Sequence, residues 1–257
     1  MKSLISSINT VNGKYAGLLN QQKKSNNPQL QAFGWYLASL LVLIPGAVLA
    51  AWHYPGGFDW PYTVASALAS QKHNPTGSFW FAGGFILSMS LLWPYVSSLK
   101  KTLCPSLSAT ADFAIVALRL GLICGALVAA ERLFIHHISD WVYKAHEILA
   151  LLFFLGLYIG VFGLFVRVMR RHRIYVIPVL LVAGPLLAIG ITQLWLYFDQ
   201  RDLGWVDTSW REKGIPIWLS FAFWQWLAIG FLWASLGFLS FIKVDVKNQV
   251  SVPDLDS

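Results

Sequence analysis

The sequence predicts an all-α polytopic membrane protein, a bundle of six transmembrane helices with both termini in the cytoplasm. Three observations carry that prediction. The chain is 56% hydrophobic and only 12% charged, with mean hydropathy +0.57, a balance that suits a membrane protein and not a soluble globular domain. Six apolar runs, at about 33–52, 78–98, 113–130, 147–166, 175–198 and 217–242, can each cross most or all of a ~30 Å hydrocarbon core at ~1.5 Å per residue. Basic residues divide unevenly between the two sides. With the N-terminus in the cytoplasm, twelve of nineteen Lys and Arg fall inside: Lys2, Lys14, Lys23, Lys24, Lys100, Lys101, Arg167, Arg170, Arg171, Arg173, Lys243 and Lys247. Six fall outside, which is the positive-inside bias. The net charge of +7 is then accounted for by topology and anionic lipid, so nucleic acid is not needed as a partner.

Residues 1–30 form a cytoplasmic N-terminal segment, too polar for a signal-peptide core, so the first span is retained. Leu4, Ile5, Ile8, Val11, Tyr15, Leu18 and Leu19 recur at helical spacing. They predict an interfacial amphipathic helix over 3–20, with a frayed tail as the alternative. The polar stretch 21–30 reads as a linker, residues 31–243 as the six-helix domain, and 244–257 as a cytoplasmic tail, disordered from about 246.

Backbone amides in lipid must be satisfied within the segment, so each apolar run is read as a helix. Five runs carry no Lys, Arg or Asp, and the third holds Arg119. Arg119 lies near enough to the cytoplasmic end to snorkel, with a lipid phosphate as a second reading. Cys104 and Cys124 have no metal spacing and predict no disulfide.

Titratable groups gather on the outer side: five of six histidines and eight of twelve carboxylates. The first outer segment, 53–77, contains a Pro-Gly-Gly turn and a stretch from Tyr62 to Ser70 that predicts a short helix lying along the surface. Trp52, Trp60 and Trp80 fit an aromatic belt. In the second segment, 131–147, His136 and Asp140 stand four apart, within reach on one helical face. An Asp beside a His fixes its tautomer and raises its basicity, as a general base or metal ligand requires. His146 and Glu147 occupy the first turn of span four, while Glu131 and Arg132 end span three and mark the water interface. The third segment, 199–216, mixes acids and bases between Trp205 and Trp210 and reads as a solvated loop. Gln193 and Gln225, in spans five and six, are amides that need partners in lipid and so face the bundle interior.

Zinc takes three or four convergent His, Cys, Asp or Glu ligands. His53, His73, His136, His137, Asp140 and His146 supply candidates without a compact motif. Zinc is thus possible and the metal unknown. A bis-histidine haem and a retinal Schiff base both lack their residues in the spans.

The six-span order, Ser66-x-Leu68 leading to Asn74-Pro75-x-x-x-x-Trp80-Phe81-x-x-Gly84, and His146 heading span four resemble the Frag/DRAM/Sfk-like superfamily and its related bacterial and archaeal six-span family of unknown function. The likeness covers roughly residues 33–242. It implies a lipid-facing role, with Ser66, Asn74 and His146 as the matching positions, and the chain is expected in the inner membrane of a bacterium. The His136-His137 pair and the acidic third loop depart from the eukaryotic pattern.

The chain is therefore expected to act on or organise membrane lipid at the outer face. As a hydrolase or acyl-transfer enzyme it would use His136 with Asp140, or His146, as general base, with His73 beside them. Ser66, Asn74, Gln193 and Gln225 would bind substrate. A non-enzymatic lipid-binding scaffold is the alternative, and a small-solute transporter a third.

Overall fold

The computed structural model describes residues 27–104, 109–134, 140–199 and 214–242. They form seven α-helices: α1 (Pro28–Trp52), the short α2 (Ala65–Leu68), α3 (Ser78–Leu103), α4 (Ala109–Phe134), α5 (Asp140–Arg171), α6 (Val176–Phe198) and α7 (Phe221–Phe241). Among the described residues there is no strand. Six of the helices are long and apolar enough to cross a membrane, which makes this a multi-pass membrane protein. Their chain order brings His53, His73 and His146 to one end of the bundle and Arg167, Arg170, Arg171 and Arg173 to the other. These are called below the histidine end and the arginine end. The expected interfacial helix at 3–20, the tail, His136, His137 and most of the third loop (200–213) lie outside the described residues.

Helix α1 starts three residues before the expected domain boundary. Asn27 caps it, its side-chain oxygen accepting from the Gln29 amide at 3.0 Å, and Pro28 occupies the first turn, where its missing N–H costs nothing. Helices α4 and α5 differ more from their apolar runs. The first continues to Phe134 and the second begins at Asp140. Charged residues at their ends could join the helices because they satisfy one another across the contact, as described below. The sixth run starts late instead: Ile217–Leu219 is a 3₁₀ turn, Ser220 is extended, and α7 opens at Phe221.

Small residues bring the helices together where lipid supplies no hydrophobic drive. A Cβ on Gly46 of α1 would meet the Trp80 carbonyl oxygen of α3 at 2.7 Å. A Cβ on Gly156 of α5 would meet the Ala117 carbonyl oxygen at 2.7 Å and Gly121 Cα, both on α4, at 2.8 Å. Helices α1 with α3, and α4 with α5, are accordingly the two most extensively packed pairs.

The expected surface helix after Tyr62 is corrected by the fold. Only Ala65–Leu68 is helical, and Ala65, Ala67, Leu68, Ala69 and Ser70 are all buried. The segment plugs the histidine end between α1, α3 and α7. Long-range bonds pull it in: Tyr62 donates to the Ile215 carbonyl at 2.7 Å, Trp226 to the Thr63 carbonyl at 2.9 Å, and Ser220 to the Pro61 carbonyl. Trp52, Trp60 and Trp80 remain exposed around this end, as an aromatic belt requires.

Candidate functional site at the histidine end

Register in the α4–α5 hairpin builds the site. Gly121 faces Gly156, and Glu131 and His146 each stand ten residues from those glycines toward the histidine end. A step of seven plus three residues returns near the same helix face, so the two side chains meet across the contact that the glycines set. His146 Nδ1 lies 2.8 Å from Glu131 Oε2, and both residues are buried, at 6% and 5% exposure. Arg132, 9% exposed, closes the group. Its Nε is 3.1 Å from His146 Nδ1, 3.3 Å from Nε2 and 3.8 Å from Glu131 Oε2.

One tautomer of the imidazole fits the contact with Glu131. Nδ1 carries a proton and donates it to Glu131, while Arg132 Nε, nearly equidistant from the two ring nitrogens, lies across the ring. Nδ1 cannot donate to the carboxylate and accept from the guanidinium at once. Carboxylate and guanidinium then balance one another inside the protein, as buried charges must. This overturns the expectation that Glu131 and Arg132 merely mark the water interface. His146 is also not in the first turn of its helix, because α5 begins six residues earlier at Asp140.

The other expected site residues are placed differently. Asn74 is fully buried where the 53–77 segment enters α3. Its Nδ2 donates to the carbonyls of Ala50 at 2.9 Å and Leu68 at 3.3 Å, and its Oδ1 accepts from the Gly77 amide at 3.0 Å. Gly77 has to be glycine here, since a Cβ would lie 2.5 Å from the Asn74 side chain. Gln225 Oε1 accepts from the Ala65 amide at 2.8 Å, satisfying a free N–H at the start of α2. Both amides thus hold the plug to the helices around it. Gln193 is buried on α6 and Ser66 is half-buried in α2. His73 is exposed in the turn before α3, on the α1–α3–α7 side of the bundle, whereas His146 belongs to the α4–α5 hairpin. His53 turns its Nδ1 to the Leu49 carbonyl at 2.8 Å. Asp140 begins α5, its side chain outside the described set, as His136 is, so the expected His136–Asp140 pairing lies outside it too.

No protein-family match, no curated relative and no similar solved structure was found for this chain. The site is therefore read from its own chemistry. Among the described residues no three His, Cys, Asp or Glu side chains converge in a way that could hold a metal ion. What the arrangement can do is hold an imidazole in one orientation, with a carboxylate on Nδ1 and a cation across the ring. Sequence reasoning named His146 but missed its partners. The missed signal was the equal spacing of Glu131 and His146 from Gly121 and Gly156.

Proposed function

We propose that the protein acts on membrane lipid at the histidine end, which faces outward, and that His146 serves there as a general base oriented by Glu131. The observation that carries this reading is the 2.8 Å contact between two buried titratable side chains on facing helices. Ionisable groups within membrane spans are costly to bury and more often serve function than packing. In this reading Arg132 is both cover and sensor. It lies across the imidazole at rest, and an anionic headgroup that draws the guanidinium away uncovers Nε2. Nε2 then takes the proton of a water or alcohol as its oxygen bonds to the ester carbonyl carbon. The same proton passes to the departing alkoxide as the ester C–O bond breaks. The positive-inside count and the resemblance carried by Ser66, Asn74 and His146 support the orientation and the lipid substrate.

A second reading is favoured by Asn74 and Gln225, whose hydrogen bonds all go to backbone. In it the chain is a lipid-binding scaffold and the buried cluster locks α4 to α5. Lipid profiles from a deletion strain complemented with the wild type, His146→Ala or Glu131→Gln separate the two. Loss of the wild-type profile in both variants, at unchanged protein level, supports the enzyme. A wild-type profile from His146→Ala ends the general-base role and leaves the scaffold.

A further inference from the structure

At the opposite end of the molecule a second site is built on the contact between α3 and α4. A cleft of about 490 Å³ is lined by Ser97, Lys100, Lys101, Cys104 and Arg119. Four of these come from α3 or its C-cap and one from α4, so the helix contact itself shapes the cleft. Its chemistry is one-sided. Lys100 is paired with Asp112 at 2.8 Å, whereas Lys101 is exposed, and among the described residues no carboxylate lies within ion-pair distance of Arg119 or Lys101. The surplus is two positive charges. Burial pushes the Cys104 thiol up from its ordinary pKa, against the opposing pull of Arg167, so the sulfur adds no competing negative charge.

Arg119 is held as a receptor. It starts about 12 Å along the span from Ala111 at helical rise, too deep for an uncommitted charge to be cheap. Its guanidinium lies 5.1 Å over the Trp93 ring, and one Nη reaches back to Ser97 Oγ at 3.2 Å, toward the arginine end. Its Nε is buried and has no hydrogen-bond partner. That N–H is closed off from the cleft, so an anion there would meet the guanidinium through its Nη groups. A phosphate group fits, because guanidinium donors match its oxygens in a planar fork and the Lys101 ammonium can supply further donors, whereas the Ser97 hydroxyl donates to the Trp93 carbonyl at 3.2 Å.

We propose that this cleft binds the phosphate group of an anionic phospholipid. Trp93 on α3, under the Arg119 guanidinium, and Val116 and Leu120, close to Arg119 along α4, are exposed and would carry the acyl chains while the phosphate sits between Arg119 and Lys101. The same donors would accept inorganic phosphate, so the test must tell the two sources apart. The site owes nothing to the His146 cluster, and its failure would leave that reading untouched.

The experiment uses the purified full chain in detergent. It is titrated separately with dihexanoyl phosphatidylglycerol, dihexanoyl phosphatidylcholine and inorganic phosphate, with occupancy read by native mass spectrometry. The glycerol lipid should bind at least about tenfold more tightly than the choline lipid. Arg119→Gln and Lys101→Gln should each reduce binding several-fold to about tenfold, as loss of a charge-assisted contact requires. Thermal melting of each variant reports folding. If Arg119→Gln does not fold, the exposed Lys101→Gln still decides. Displacement of the lipid by millimolar inorganic phosphate would make free phosphate the ligand and overturn the lipid assignment. Equal binding of both lipids, or undiminished binding by a folded Lys101→Gln variant, would overturn the site.

Discussion

Charged groups at the two ends of the bundle follow opposite rules. At the histidine end Glu131, Arg132 and His146 are buried and in polar contact with one another. At the arginine end Lys100 and Asp112 pair at 2.8 Å with side chains 46% and 41% exposed, and Arg119 keeps a buried N–H without a partner. The first group is buried and sets one acid against one base. The second is open and carries surplus positive charge. Burial makes an uncompensated charge costly, whereas access to water allows charge to be kept for a ligand.

The contrast breaks most visibly at Glu131. Removing it leaves Arg132 buried without its carboxylate, and Glu131→Ala should lose about 3–5 kcal/mol in reversible denaturant unfolding, as for other broken buried pairs. Replacing Glu131 and Arg132 together by Leu should recover most of that loss, because no uncompensated charge remains. A double variant as unstable as the single would mean that the cost is packing, and the description of a closed charge cluster would fail. Next in size is Asn74. Its loss strands two carbonyls and an amide at the plug, and Asn74→Ala should cost roughly 3 kcal/mol at about 1 kcal/mol or more for each group. Thermal melting of the variant measures it, and a loss below about 1 kcal/mol would show that water replaces the amide and that the plug is wet.

How far these features were legible in the sequence depends on the range of the interactions that make them. The six spans follow from local hydropathy, which the lipid imposes on every residue of a helix regardless of neighbours. The depth of Arg119 followed in the same way. Glu131 and His146 needed the register between two helices. That register is written in Gly121 and Gly156, but only for a reader who assumes an antiparallel hairpin and counts outward from the glycines. The plug was not legible at all. Burial of Leu68 and Ser70 depends on bonds such as Tyr62 to Ile215 and Gln225 to Ala65, and nothing near Tyr62 announces a partner so far along the chain. For the same reason Asn74 read as a ligand-binding residue when its amide is occupied by three backbone groups.

Gln225 tests the same point more gently. Gln225→Leu removes one bond to the Ala65 amide and keeps the volume, so about 1–2 kcal/mol should be lost. Proteolysis between Tyr62 and Ser70 should speed up if the plug loosens, while an unchanged cleavage rate would mean that Tyr62, Trp226 and Ser220 hold the plug without the amide.

The smallest effect on stability is expected at the arginine end. Lys100 and Asp112 are both more than two-fifths exposed, so most of their attraction is screened by water and salt. Lys100→Ala should therefore shift unfolding by less than about 1 kcal/mol, and the shift should shrink further at high salt. Asp112→Asn should be just as mild for folding, yet it removes the carboxylate nearest the cleft and frees the Lys100 ammonium. Anionic phospholipid should then bind more tightly to Asp112→Asn than to the wild type. At the histidine end, loss of a carboxylate costs stability because charge was closed in. At the arginine end, the same change costs almost no stability and should raise affinity, because charge there faces outward. Equal destabilisation by Glu131→Ala and Asp112→Asn would erase the distinction between the two ends.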